Sequence, residues 1–145
     1  MPRHKSDELP IADVHLVDSN VILRYLLDDE PALSTRASAL MERVERGKEA
    51  VEITEVVLME IVWTLTTFYR VPRKEIAEKL TGVLDLPGVR IPSRRICTRA
   101  LHDFGDGSAD FVDCLLAARS RARSIPIYTF DETDFNKMQC DWSSP

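Results

Sequence analysis

The chain has 145 residues, 44% of them hydrophobic and 30% charged, and carries a formal net charge of −5. That length and balance fit one globular domain with a full core, and the negative charge argues against holding nucleic acid by bulk electrostatics. No apolar run reaches the ~18 residues of a membrane span, and MPRHKSDELP offers no apolar signal-peptide region, so a soluble cytoplasmic protein is expected.

Residues 1–12 are polar, contain two prolines and read as a loosely ordered tail of a single domain spanning 1–145. A strand is expected at about 14–18, then a helix over 20–28. In EPALSTRASALMERVERG the residues Leu33, Ala37, Leu40, Met41 and Val44 recur at the helical period, and Gly47 ends the helix. AVEIT alternates like a short strand. Thr54 can cap a long helix, EVVLMEIVWTLTTFYR, that is apolar nearly all round and so expected to be buried.

Pro72 suits the first turn of a helix reaching about Leu84. GVRI reads as a strand, and Ser93 can start a helix to about Phe104. After GDG a helix runs from about Ala109 to Arg123, with Ser108 as its cap. IPIYTF is a strand with Pro126 at its entrance, and DETDFNKM a short helix. Strands separated by helices build a mainly parallel sheet covered on both faces. The fold expected is α/β, a three-layer α/β/α sandwich with a central sheet of 4–5 strands.

Cys97, Cys114 and Cys140 show no CxxC spacing, which disfavours a disulfide framework or structural zinc. Cys97 and Cys114 lie in apolar patterns and read as core thiols. The three histidines form no paired motif. Arginines are concentrated in RIPSRRICTR and RSRARS, which read either as solvated helix faces or as a phosphate-contacting rim.

Four acids stand where burial would be costly: Asp18 after the apolar LV, Glu60 inside VVLMEIVWTL, Asp113 inside FVDCLLAA, and Asp131 after IPIYTF. Each has a bland explanation. Asp18 can cap a helix, Glu60 can lie on an amphipathic edge, Asp113 can pair with a distant arginine, and Asp131 can belong to a turn. An isolated buried carboxylate costs several kcal/mol or takes up a proton, and one divalent cation would account for all four together.

Geometry allows it. Strand ends carrying Asp18 and Asp131 belong at the carboxyl edge of a parallel sheet, where α/β sheets place their sites. From Asp113 the helix descends roughly 16 Å at 1.5 Å per residue, and the next strand climbs back roughly 20 Å at ~3.3 Å per residue. Glu60 lies within about two turns of the start of a helix leaving that same edge.

Oxygen donors without His or Cys select a hard cation, Mg²⁺ or Mn²⁺, as used in phosphodiester hydrolysis. Ser19 and Asn20 can hydrogen-bond Asp18 or a bound water, and Thr129 can hold a ligand. Asp110 and Asp134 each stand three residues from a core acid, on the same helix side. Either can equally be a first-turn acid favoured by the helix dipole.

The ordered set of strand-Asp-Ser-Asn, a lone Glu on an apolar helix, ADFVDCLLAA and YTFDETDF resembles the PIN-domain ribonucleases, and especially the VapC-type toxins of bacterial and archaeal toxin–antitoxin pairs. The resemblance runs from about residue 14 to 136. It implies an Mg²⁺- or Mn²⁺-dependent endoribonuclease whose acidic quartet falls on Asp18, Glu60, Asp113 and Asp131. The polar residue after the first acid falls on Ser19 or Asn20, and the strand-end Ser/Thr on Thr129. It further implies a homodimer held inactive by a small antitoxin, with RNA as substrate; on the rim reading of the arginine-rich segments, Arg94, Arg95 and Arg99 are candidates to contact the RNA backbone.

The pattern departs from the family after Phe135, where NKMQCDWSSP shows no clear final strand. A haloacid-dehalogenase-type phosphatase would need an Asp at position 20, which is Asn20, and a receiver domain would need an Asp where AVEIT ends in Thr54. The rival from another class is a non-catalytic PIN-like module that binds RNA or protein.

Overall fold

The computed structural model describes residues 13–145, so the tail expected at 1–12 lies outside the described residues. Among the described residues, seven helices and five short strands follow one another in an α/β order. β1 (Val14–Leu16), β2 (Ala50–Glu52) and β3 (Val89–Arg90) form a parallel sheet in sequential order, with His15 opposite Val51 and Val51 opposite Val89. β1 and β2 are joined by α1 (Ser19–Leu27) and α2 (Pro31–Glu45), and β2 and β3 by α3 (Glu55–Thr67) and α4 (Arg73–Leu84). α5 (Arg94–Asp106) and α6 (Phe111–Arg123) follow, then β4 (Ile127–Tyr128), α7 (Glu132–Lys137) and β5 (Trp142–Ser143).

The strands divide differently from the expected 4–5-stranded sheet. β4 pairs in parallel with β5, not with β1, so the described strands form a three-stranded and a two-stranded sheet. The final strand that NKMQCDWSSP did not announce is β5. Two residues are too few to display an alternating pattern, and Trp142 is fixed instead by its indole Nε1 donating to Asn136 Oδ1 at 2.7 Å. The strand expected over IPIYTF shrinks to Ile127–Tyr128 for the same reason of limited pairing.

Local signals act largely as expected. Thr54 Oγ1 accepts from Val57 N–H at 3.3 Å and starts α3. Gly47 takes φ +69 after α2, a left-handed position that Cβ-bearing residues resist. Ser93 precedes α5. Two starts move: Pro72 sits just before α4 instead of inside it, and Asp110, not Ser108, precedes α6.

The core gathers the inner faces of the helices around the three-stranded sheet, with Ile22, Met41, Val51, Leu58, Leu80 and Leu101 essentially excluded from solvent. α3 is not buried all round. Leu58, Ile61, Val62 and Leu65 face the core, while Val56, Glu60 and Trp63 lie on an outward face, Trp63 with 64% of its surface exposed. An apolar helix in a small domain packs only where neighbours reach it, and hydropathy alone does not say which face that is. Cys97, Cys114 and Cys140 are free and buried. Among the described residues no helix is long and apolar enough to cross a membrane.

Candidate metal site and its surroundings

β1 ends two residues before Asp18, which occupies the N-cap of α1 and accepts from Ser19 N–H at 2.9 Å. Ser19 is 0% exposed, yet its hydroxyl is satisfied, because Oγ donates to Glu60 Oε1 at 2.5 Å across a sequence separation of 41. A charged acceptor strengthens and shortens such a bond. Glu60 is held at the solvent edge of α3 by this bond. Asn20 is exposed beside them.

The second set of acids comes from α6 and α7. Asp113 projects from the first turn of α6, where an acid complements the helix dipole. Asp131 occupies the N-cap of α7, accepting from Asp134 N–H at 3.4 Å, and its own N–H donates to Thr129 Oγ1 at 2.9 Å. Thr129 thus folds the chain back after β4. Asp113, Asp131 and Asp134 each offer a carboxylate oxygen, and these lie within 4.8 Å of one another. Burial, then the like charges of Asp110, Asp131 and Asp134, push the Asp113 carboxyl above its ordinary value. Asp110 is the exposed N-cap residue of α6 and adds to this repulsion from outside the trio.

The acids therefore fall into two groups. Asp113, Asp131 and Asp134 converge, whereas Asp18 and Glu60 stand outside that trio, linked to one another through Ser19. Asp134, an accessory candidate in the sequence, is one of the three converging acids. The donor chemistry fits a hard cation: three carboxylates, one exposed and two half-buried, with no sulfur or imidazole among them.

Residues 15–139 match the PIN domain. The chain belongs to the PIN-domain family. It is also 24% identical over 110 residues to a VapC ribonuclease of Aquifex aeolicus (strain VF5), an alignment that takes in 76% of this chain and 81% of that protein.

Two arginines to which the sequence assigns no structural task brace this PIN domain's trio. Arg73 lies 3.8 Å from the Phe104 ring centroid, donates to Phe104 O at 2.9 Å and also donates to Ala109 O. It thereby fixes the turn that delivers α6. Arg121 joins three elements, donating to Asp103 Oδ2 at 2.7 Å from α6 to α5 and to Met138 O at 2.5 Å at the end of α7. In PRKE and RSRARS these residues carry no local sign of either task.

The proposed backbone-contacting arginines differ in their freedom. Arg94 donates to Leu84 O and to Val89 O, the latter at 3.0 Å, which ties α5 to β3. Arg99 pairs with Asp103 at 3.2 Å. Arg95 is exposed, and no side-chain hydrogen bond or ion pair engages it among the described residues.

Proposed function

We propose that this PIN domain is a metal-dependent endoribonuclease, the toxin of a toxin–antitoxin pair. The observation that carries the reading is the convergence of Asp113, Asp131 and Asp134 within 4.8 Å. Three carboxylates held together against their mutual repulsion suit a site designed to hold positive charge. Asp113, Asp131 and Asp134 would hold Mg²⁺ or Mn²⁺, with Asp18 and Glu60 completing the acidic set. When bound, the cation supplies an activated water and neutralises charge on the phosphate.

The chain's own residues then have separate tasks. Asp113 or Asp131 would also orient the attacking water. Thr129 and the N-cap geometry of α7 orient Asp131. Ser19 fixes the Glu60 rotamer. RNA as substrate agrees with the name of the Aquifex relative, a VapC ribonuclease. A homodimer and an antitoxin are supported by exposed apolar side chains of the kind that mark protein interfaces: Leu16, Trp63, Phe68, Tyr128 and Phe130.

The test is incubation of the purified, antitoxin-free chain with single-stranded and structured RNAs, with Mg²⁺, Mn²⁺ or EDTA, beside calorimetric titration of the cation. Cleavage and cation binding are both expected, and both should be lost in Asp113→Asn and Asp131→Asn. Cleavage that survives EDTA would sink the mechanism. RNA binding without cleavage under any metal would favour the non-catalytic module.

A further inference from the structure

The first turn of α5 breaks a local rule. A helix N-terminus favours acids and disfavours cations, yet α5 opens with Arg94 and Arg95, has no acid in its first turn, and its N-cap Ser93 makes no side-chain capping bond. Arg94 is accounted for by its backbone contacts to Leu84 and Val89. Arg95 is not accounted for by any side-chain hydrogen bond or ion pair among the described residues.

That first turn forms one wall of a cleft of about 770 Å³ between α5 and the C-terminal half of α6. Its charged lining consists of Arg94, Arg95, Arg99 and Arg121, with no acid among the lining residues. This happens on a chain whose net charge is −5. The cleft does not end there. Arg99 and Arg121 also line a second, mixed-charge cleft, together with Asp103, Asp106, Asp134 and Lys137. Asp134 belongs to the acidic trio. The two clefts share Arg99 and Arg121, each paired with Asp103, which leaves a path from the trio past Lys137 and these two arginines to Arg95.

We propose that this path seats the RNA backbone on one side of the scissile phosphate, with Arg95 and Arg99 as positioning residues. The inference rests on the nuclease reading above. Asp113 and Arg121 are eight residues apart on α6, which is about 12 Å at 1.5 Å per residue. At ~3.4 Å of axial rise per nucleotide along a stacked strand, that distance spans about three or four nucleotides between the trio and the arginine cleft. Arginine forks suit phosphate oxygens and read no base, so the path contributes affinity and register without sequence preference. The guanidinium groups act on RNA that extends beyond the cut site, while the bond cleavage itself stays with the acids.

The experiment compares wild type, Arg95→Glu, the double variant Arg95→Gln/Arg99→Gln, and Lys48→Glu as a charge control in the exposed loop after α2. Steady-state cleavage is measured on a long single-stranded RNA and on oligonucleotides too short to reach the cleft. Binding is followed by fluorescence anisotropy of the long RNA with Ca²⁺ replacing Mg²⁺, at several salt concentrations. The expected result is a KM raised about tenfold on the long RNA with kcat retained, no change on the short ones, and a log–log salt slope smaller by about one per arginine removed. The Gln pair keeps the test open should Arg95→Glu misfold.

Kinetics indistinguishable from those of Lys48→Glu on every length would overturn the path while leaving the nuclease reading intact. An equal loss of kcat on long and short RNA would also overturn it, since that indicates damage to the acids. Equally potent displacement of RNA by polyglutamate would assign the cleft to an acidic polypeptide and reject the proposal. A wild type that binds the long RNA through Arg95 and never cuts it would instead reject the nuclease reading alone.

Discussion

Replacing Asp113 by Asn should make the protein more stable while abolishing its cleavage. At 4.8 Å, the limit of separation within the trio, a pair of unit charges repels by about 0.9 kcal/mol in a water-like dielectric and about 3.5 kcal/mol at an effective value of 20. Asp131 is exposed and Asp134 half-buried, so the lower end and salt screening govern, and two such pairs cost the fold about 2 kcal/mol. Neutralising Asp113 forfeits its favourable place at the start of α6, worth ~0.3–1 kcal/mol. The net gain is about 1 kcal/mol, or an increase in Tm of about 3 °C for a chain of this size.

The pH dependence has a definite sign. The folded-state pKa of Asp113 lies above its ordinary value of 3.8, so the folded protein binds the proton more tightly than the unfolded chain. This contribution is fully stabilising below the unfolded value and is lost as pH rises through the folded one. The advantage of Asp113→Asn should therefore be largest at neutral pH and vanish on acidification below about pH 4. Differential scanning calorimetry of both proteins from pH 3.5 to 8, with EDTA, measures it. Adding Mg²⁺ or Mn²⁺ should raise Tm in the wild type and much less in the variant. A variant destabilised at neutral pH, or equally stabilised by the cation, would refute the reasoning.

Ser19→Ala removes the only partner of Glu60 among the described hydrogen bonds; it should cost about 1 kcal/mol, read by urea denaturation, and lower RNA cleavage about tenfold on the role proposed for Glu60. Arg73→Ala removes the guanidinium donor from Phe104 O and Ala109 O, leaving the latter only the weak Cys114 thiol, and takes the cation from the Phe104 ring; a loss of about 2–3 kcal/mol is expected, and Arg73→Lys should recover only part of it. Burial pushes the Cys97 thiol up to about 12 and the Cys114 thiol to about 11; a thiol-reactive dye at pH 8 should label them only at the rate of unfolding. Trp63→Glu places a charge in the outward face of α3, and sedimentation velocity should show it shifting any self-association toward the monomer.

The sequence made some of this legible through local chemistry. Thr54, Gly47 and Ser93 mark helix boundaries because caps and turns depend on the residues that form them. The trio's Asp113 and Asp131 stood out because a carboxylate inside or at the end of an apolar run calls for compensation. What stayed hidden depends on long-range placement. Whether β4 lies beside β1 or β5 is settled by pairing between segments, and IPIYTF and CDWSSP hold too few strand residues to express it. Glu60 looked buried because its neighbours are apolar, but Val56 and Trp63 share its outward face. Asp134 reads equally as a site residue or as a first-turn acid, and only the fold of the Thr129–Asp131 turn carries it to Asp113. Arg73 and Arg121 reach across 31 and 17 residues to backbone carbonyls, and nothing in PRKE or RSRARS signals such reach.

The C-terminal segment has a small apolar nucleus of its own, formed by Ala117, Phe135 and Cys140 with Ile127, Met138 and Trp142 packed against it. Asp131 and Asp134 ride on this unit, while Asp113 is anchored in the main core through Cys114 and Leu115. The trio thus straddles two regions that differ in how much apolar surface holds them. Such regions open independently, the smaller at lower free energy. Residues 125–145 should exchange their amide hydrogens by a partial opening that separates the carboxylates and leaves the helices around the three-stranded sheet protected. A cation bound across the seam would close that opening selectively, so occupancy of the site becomes measurable as slowed exchange at Ile127, Thr129 and Cys140, well before any RNA is present.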